Sequence, residues 1–323
     1  MTQDAYNRTF KVALRTSASA VVESHVKVLL SGATGLVGTA LTTSLQSDGH
    51  TVTRLVRPHE NANPGEIRWD PSSAMVDLAT LESFDAVVNL AGASIGDGRW
   101  TDKRKQILRS SRIDTTRVLV DALSHLQRKP SVFISASAVG YYGNRGDTVL
   151  TESTPNGQDF LGLLARSWEA EAHRAERTGI RTVITRFGII LAKNGGSLPQ
   201  MITPIKWGVG GRYGSGEQWI SWIALEDVVR VIRLAIEDDT WKGPINVSAP
   251  EPLRNDEFVR VLAGVLHRPA LLPAPAFVLR IVLGEMADAL LLSSQRAQPE
   301  FLLKSGFNFR CENLEGALRE ILA

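Results

Sequence analysis

Apolar residues along this chain follow two alternating rhythms. Short continuous runs, "VKVLLSG" (26–32), "HTVTRLV" (50–56), "FDAVVNLAG" (84–92), "PSVFISAS" (130–137), "IRTVITRFG" (180–188) and "GPINVSAP" (243–250), have the length and β-branched content of strands buried on both faces. Between them lie stretches with helical spacing. "LVGTALTTSLQSDG" (36–49) ends on a glycine, and two further helices are predicted over 101–127 and 160–178. Phe160, Leu164, Trp168, Ala172 and Ala175 mark one face of the last. Strand–helix alternation with unbroken apolar strands predicts an α/β fold of Rossmann type, a doubly wound parallel sheet with helices on both faces.

The rhythm changes after Gly188. "KNGGSLPQMITPIKWGVGGRYGSGEQW" (193–219) is glycine-rich with interspersed aromatics, and the chain beyond 251 reads as short helices punctuated by "RPALLPAPA" and "SGFNFR". The expected organisation is a weakly ordered extension over 1–25, a nucleotide-binding domain over 26–250 to which 189–222 adds part of a substrate pocket, and a smaller, mostly helical C-terminal cap over 251–323. No repeat or low-complexity tract interrupts it.

Composition narrows the function little. Of 323 residues 43% are apolar and 22% charged, and a net charge of +2 gives no electrostatic case for nucleic acid or an anionic membrane. The single cysteine, Cys311, rules out an internal disulfide and suits a reducing, cytoplasmic setting. Six histidines without ligand spacing argue against a protein-bound metal. The longest apolar stretch, "PAPAFVLRIVLGEMADALLL", is interrupted by Arg280, Glu285 and Asp288, so no membrane span is expected. The first 25 residues lack a signal-peptide core. Their Arg8, Lys11 and Arg15 leave organelle targeting open beside a plain loose extension.

The chemistry begins at "VKVLLSGATGLVG". Gly32, Gly35 and Gly38 stand at G-x-x-G-x-x-G spacing between a strand and a helix. Glycines permit the tight turn and close backbone approach, and the helix N-terminus presents free N–H groups to a pyrophosphate, so a dinucleotide is expected there. At the next strand end an NAD-preferring fold carries an acid on the ribose. Here stand Val56 and Arg57, and an arginine grips a 2′-phosphate, which predicts NADP(H) over NAD(H).

With "NLAG" (89–92), "SASAV" (135–139) and "TRFG" (185–188), the glycine triplet resembles the extended short-chain dehydrogenase/reductases, the epimerase and dehydratase superfamily. "WDP" (69–71), "RW" (99–100), "SASAVGYYG" (135–143), "WEAEA" (168–172), "SWIALEDVV" (221–229), "APEPLRNDEF" (249–258) and "GEMADALLLSSQR" (284–296) are similar to an atypical branch labelled epimerase family protein. The resemblance implies that Gly32, Thr34, Gly35, Leu36, Val37 and Gly38 form the phosphate turn. It further implies that Asn89, Leu90, Ala91 and Gly92 line the adenosine side. Arg186 and Gly188 would open the loop towards nicotinamide and substrate, and Ser137 would bond the reacting oxygen. It also implies a homodimer through the 101–127 and 160–178 helices.

One departure bears on catalysis. No Tyr-x-x-x-Lys occurs, and no lysine lies between Lys129 and Lys193; in "DFLGLLARSWEAEA" Phe160 or Leu161 holds the tyrosine's place and Leu164 or Ala165 the lysine's. An unassisted phenol, with a pKa near 10, is ionised about one part in a thousand at pH 7, a handicap of ~4 kcal/mol for a base. Tyr142, or next Tyr141, is left as a neutral donor that suits carbonyl reduction, with Arg145 or Arg166 as a source of positive field. No G-x-S-x-G supports a hydrolase. Tyr213, Trp219 and Trp222 read as core or as an apolar substrate wall, and Asp227 as support for a helix start. Three functions are carried forward: an NADP(H)-dependent reductase of a small carbonyl compound, a nucleotide-binding regulator or assembly factor with little catalysis, and a nucleotide-sugar epimerase.

Overall fold

The computed structural model describes residues 25–57, 63–72 and 77–323; the expected N-terminal extension and any targeting role for it fall outside these, apart from His25. The chain opens with β1 (Lys27–Ser31), α1 (Leu36–Ser47), β2 (Thr51–Val56), β3 (Glu66–Arg68), α2 (Leu78–Leu81) and β4 (Ala86–Asn89). Next come α3 (Asp102–Arg109), a π-helical turn at Ser110–Asp114, α4 (Thr115–Ser124), β5 (Val132–Ala138) and a 3-10 turn at Val139–Tyr142. After β6 (Val149–Leu150), α5 (Phe160–His173) and β7 (Arg181–Phe187), the chain forms β8 (Ile189–Ala192), β9 (Gly195–Gly196) and α6 (Leu198–Lys206). β10 (Trp219–Ile220), β11 (Trp222–Ala224), α7 (Leu225–Glu237), β12 (Gly243–Val247) and β13 (Leu253–Arg254) follow. The C-terminal part is α8 (Asn255–Leu266), α9 (Ala276–Leu283), β14 (Arg296–Ala297), α10 (Glu300–Lys304) and α11 (Leu314–Leu322).

Seven strands form one parallel sheet in the order β12-β7-β5-β4-β1-β2-β3. All six apolar runs of the sequence are in it. The seventh strand, β3, is a short polar edge. Alternate residues feed opposite layers, as strand geometry requires. Val28, Leu30, Val88 and Ile134 pack with Leu41 and Leu45 of α1 and Val228 and Ile232 of α7, while Leu29, Val87 and Phe133 pack with Leu119 and Leu123 of α4 and Ala172 of α5.

Beyond β7 the chain leaves the sheet and returns to it with α7 and β12. Leu191, Leu198, Ile202 and Trp222 share a core with Phe258 and Leu262 of α8 and Leu314 and Leu318 of α11. Cys311 belongs to this core at 7% exposure, with its backbone N–H on Asp227 Oδ2; burial, with the Glu320 and Asp227 carboxylates nearby, pushes its thiol up to about 11. Asp227 itself is fully buried and ties residues 310 and 311 to α7 through Oδ1 and Oδ2, rather than capping the helix. The apolar stretch at 273–292 is broken into α9, Gly284 at φ 64° and a second π-helical turn at Ala287–Leu291. No helix among the described residues is long and apolar enough to cross a membrane.

Candidate nucleotide and catalytic site

Chain order makes a crevice. From β1 the chain winds outward to β2 and β3, then returns to β4 on the other side of β1, so the strand order reverses between β1 and β4. Ligands of open parallel sheets lodge beyond the carboxyl ends of strands at such a switch point. There the glycine turn and the residues after β4 meet. Gly32 has φ 70°, and a β-carbon on it would stand 2.6 Å from the Leu90 carbonyl carbon. One on Gly38 would stand 2.3 Å from the Gly32 oxygen. These two glycines weld the turn to β4 and to its own helix.

Gly35 plays another part. It is the exposed N-cap of α1, no side chain caps the helix, and no acid stands in its first turn. The first intrahelical bond runs from Thr39 N–H to Gly35 O, which leaves the amides of Leu36, Val37 and Gly38 at a helix N-terminus with its partial positive charge. Such a cradle fits a pyrophosphate. Leu36 also touches the β8–β9 hairpin, its Cδ1 2.9 Å from where a Gly195 β-carbon would be. Arg57 sits exposed at the end of β2.

Asn89 does not point to a ligand. Fully buried, it accepts from Ser31 Oγ (2.6 Å) and donates to Thr116 Oγ1 (2.8 Å), which also accepts from Trp168 Nε1 (2.9 Å). It pins two strand ends to α4 and α5. Leu90, Ala91 and Gly92 remain at the crevice, half-buried or exposed.

The residues expected to do chemistry form a buried network. Ser137, 3% exposed, donates to Glu169 Oε1 at 2.6 Å. Arg186 donates to the same carboxylate through Nε (2.9 Å) and Nη2 (2.8 Å), a two-pronged pair in which both side chains are at most 5% exposed. Burial opposes the guanidinium's charge, yet Glu169 raises its pKa above the ordinary arginine range. Arg186 Nη1 reaches Tyr142 OH (2.9 Å), and that hydroxyl donates to Asn246 Oδ1 (2.6 Å). The two tyrosines are therefore not equivalent. Tyr142 is wholly buried, whereas Tyr141 is half-buried, lies with its ring 3.6 Å from the Arg186 guanidinium carbon, and has a hydroxyl without a hydrogen bond among the described residues. Gly188 lets β7 turn into β8, since a β-carbon there would stand 2.8 Å from Ser221 O.

Burial pushes the Tyr142 phenol up to about 12, against the pull of Arg186. The unfolded phenol ionises near 10.0 and the folded one does not, so this group supports the fold fully below pH 10 and its support is lost as pH rises to 12. Wild-type stability should fall by roughly 2 kcal/mol over that window, followed by denaturant titration at several pH values, and Tyr142→Phe should lose most of the slope. An unchanged slope in that variant would place the alkaline sensitivity elsewhere.

The two expected arginines differ in setting. Arg145 is spent on the carbonyls of Tyr142, Pro155 and Asn156, and Arg166 is an exposed residue of α5. The positive charge at the crevice is Arg112, which the sequence reading did not single out. It lies in the π-helical turn between α3 and α4, donates to Ala93 O (2.9 Å) and Leu108 O (3.3 Å), stacks over Trp168, and would be 3.1 Å from a β-carbon on Gly92. Among the described residues no carboxylate pairs with it, and burial with neighbouring Arg104 lowers its pKa to about 10. Its signal was available: Leu108, Arg112, Thr116 and Leu119 recur at helical spacing, which sets a charge on the buried stripe. In the stretch where the pair is missing, Leu161 lies 3.5 Å from where a Gly140 β-carbon would be, and Leu164 and Ala165 are buried. Leu161 joins Trp100, Phe160, Leu164 and Met286 in an apolar cluster.

Of the three aromatics read as core or substrate wall, Trp222 is core with no exposure, Trp219 is clamped between Arg254 and Arg296, and Tyr213 lines a separate cavity.

Residues 28–248 match the model of the NAD dependent epimerase/dehydratase family, and residues 274–321 match a domain of unknown function, DUF1731. Epimerase family protein YfhF of Bacillus subtilis is 41% identical over 302 residues, covering 92% of this chain and 98% of that protein. The chloroplastic SDR39U1 homolog of Arabidopsis thaliana is 36% identical over 310 residues, 93% of this chain and 88% of its own. Among solved structures, human epimerase family protein SDR39U1 (isoform 2) with NADPH superposes with a TM-score of 0.84 at 34% identity, over 92% of this chain and 99% of that one. UDP-glucose 4-epimerase of Thermotoga maritima, 17% identical with a TM-score of 0.72, shares the fold. The chain belongs to the NAD dependent epimerase/dehydratase family, with the SDR39U1-type epimerase family proteins among its relatives.

Proposed function

We propose that this protein binds NADP(H) at the β1–β4 crevice and reduces the carbonyl of a small organic substrate. The observation that carries the reading is the uncapped N-terminus of α1 behind Gly32, Gly35 and Gly38, at the point where the strand order reverses. The NADPH in the human relative's structure supports the choice of cofactor, as does Arg57 in place of an acid at the end of β2. When bound, the dinucleotide supplies a hydride to the substrate carbon. The α1 amides hold the pyrophosphate, and Arg57 would meet the 2′-phosphate. Arg112 sets a positive charge beside Gly92 in partly dehydrated surroundings, which favours negative charge developing on a substrate oxygen. The proton for that oxygen comes from a neutral phenol, and of the adjacent pair Tyr141 is the one whose hydroxyl is uncommitted among the described residues; Ser137 and Tyr142 hold the platform beneath it. Reduction is favoured over oxidation because the lysine that would assist a tyrosine base is missing from the chain between Lys129 and Lys193.

Titration of the purified protein with NADPH and NADH tests the binding half. NADPH should bind more tightly, and Arg57→Ala should narrow the gap about tenfold. Failure to bind NADPH would end the reading. A screen of carbonyl compounds for stoichiometric NADPH oxidation tests the chemistry, which Tyr141→Phe should abolish. Binding without turnover across the screen would favour the second reading, a regulator that uses the nucleotide as a conformational ligand; the apolar residues at the catalytic pair's place, Phe160 or Leu161 and Leu164 or Ala165, support it.

A further inference from the structure

A cavity of about 280 Å³ lies away from the crevice, in the second core, between α6, α8 and α9. Ile205, Phe258, Leu262, Leu272 and Leu279 are among its walls, and only Tyr213 and Asn255 bring polar side chains to it. Both have hydrogen-bonding capacity to spare. The Tyr213 hydroxyl makes no hydrogen bond among the described residues. Asn255 is fully buried; its Oδ1 accepts from Tyr213 N–H at 2.7 Å, and its Nδ2 has no partner among the described residues. Native interiors keep few voids larger than a water, and water in an apolar chamber finds few partners.

The cavity borders a basic groove, with Val259 and Pro273 in the walls of both. The groove carries Arg212, Arg260 and Arg268 against one acid, Asp256, which pairs with Arg260 at 3.4 Å. The guanidinium groups of Arg212 and Arg268 make no hydrogen bond or ion pair among the described residues. Around the shared rim, large apolar side chains stand in solvent: Leu271 at 80% exposure lines the groove with Arg268, and Leu272 at 54% and Val209 at 57% line the cavity.

We infer that this chamber and groove bind an amphipathic monoanion, a medium-chain fatty carboxylate, with the chain in the cavity and the carboxylate on Arg212 and Arg268. The volume, just under the usual range of about 300–1,000 Å³ for small-molecule pockets, suits one unbranched chain better than a bulky ring system. Among the described residues the chamber walls supply no carboxylate partner for a cationic or sugar-like ligand, and the groove's one acid, Asp256, is paired with Arg260. Guanidinium groups match a carboxylate in two-pronged geometry. The site is independent of the nucleotide reading, since none of its lining residues belongs to the β1–β4 crevice.

Calorimetric titration of the delipidated full-length protein with decanoate tests this, with decanol as the neutral arm and anionic phospholipid vesicles as the membrane arm. Saturable one-to-one decanoate binding is expected, with decanol weaker by about tenfold. Leu279→Trp, which fills the chamber from α9, should weaken both compounds at least about tenfold. Arg212→Ala with Arg268→Ala, both on the surface, should weaken decanoate about tenfold and leave decanol unchanged. Melting temperature and NADPH binding report separately on folding and on the nucleotide site. No decanoate binding, equal binding of decanol, insensitivity to the arginine pair, or vesicle binding without decanoate binding would each overturn the inference.

Discussion

Glu169→Ala should lower the unfolding free energy by about 3–5 kcal/mol, the largest stability loss expected from any single side chain at the site. The carboxylate is 5% exposed and accepts three hydrogen bonds, one from Ser137 and two from Arg186. Truncating it leaves a buried guanidinium whose remaining neighbours are the Tyr142 hydroxyl, the Glu152 carbonyl and the Tyr141 ring, none carrying compensating charge. Glu169→Gln keeps the shape, removes the charge and should cost less. Urea denaturation of the three proteins gives the order directly. A loss under about 1 kcal/mol for the alanine variant would mean that water reaches Arg186 more readily than its burial implies.

Gly38→Ala should disable the phosphate turn, while Gly35→Ala should be mild in stability. The methyl added at position 38 would press on the Gly32 oxygen at 2.3 Å and the Ala33 Cα at 2.7 Å, both backbone atoms of the turn. Neither can swing away as a side chain would, so α1 must shift from β1. Overpacking of this kind costs about 1–3 kcal/mol. A displacement near 1 Å also separates the α1 amides from a bound diphosphate, and NADPH affinity should drop about a hundredfold. At position 35 the nearest atom is the Gly32 oxygen at 3.3 Å, which a small adjustment accommodates. Equal melting temperatures and equal NADPH affinity for the Gly38→Ala variant and wild type would contradict the tight packing at the turn.

Much of this fold was legible because its signals are local. Continuous apolar runs declared six of the seven sheet strands, and glycine spacing declared the turn, since strand, turn and helix start lie within a dozen residues. The seventh strand, Glu66–Arg68, is an edge whose polar residues carry no apolar signature. The two-residue strands Trp219–Ile220 and Arg296–Ala297 exist through pairing with distant partners rather than through propensity. The same distinction divides the site. Ser137 and Tyr142 have the residue types of a reductase, but their hydroxyls are settled by Glu169, 32 positions away, and Asn246, 104 positions away. A sequence shows which groups can donate; it does not show which are already engaged. Arg112 was overlooked for the converse reason, because an arginine inside a helical stretch reads as solvated until packing buries it.

Cys311 gives the molecule an experimental convenience. Its thiol is sealed between α7 and α11 and stays protonated at neutral pH, the state in which alkylating probes attack slowly. A cysteine placed on the outer face of α9 would take up a maleimide dye first, so single-site fluorescent versions of this protein can be prepared without replacing the native thiol.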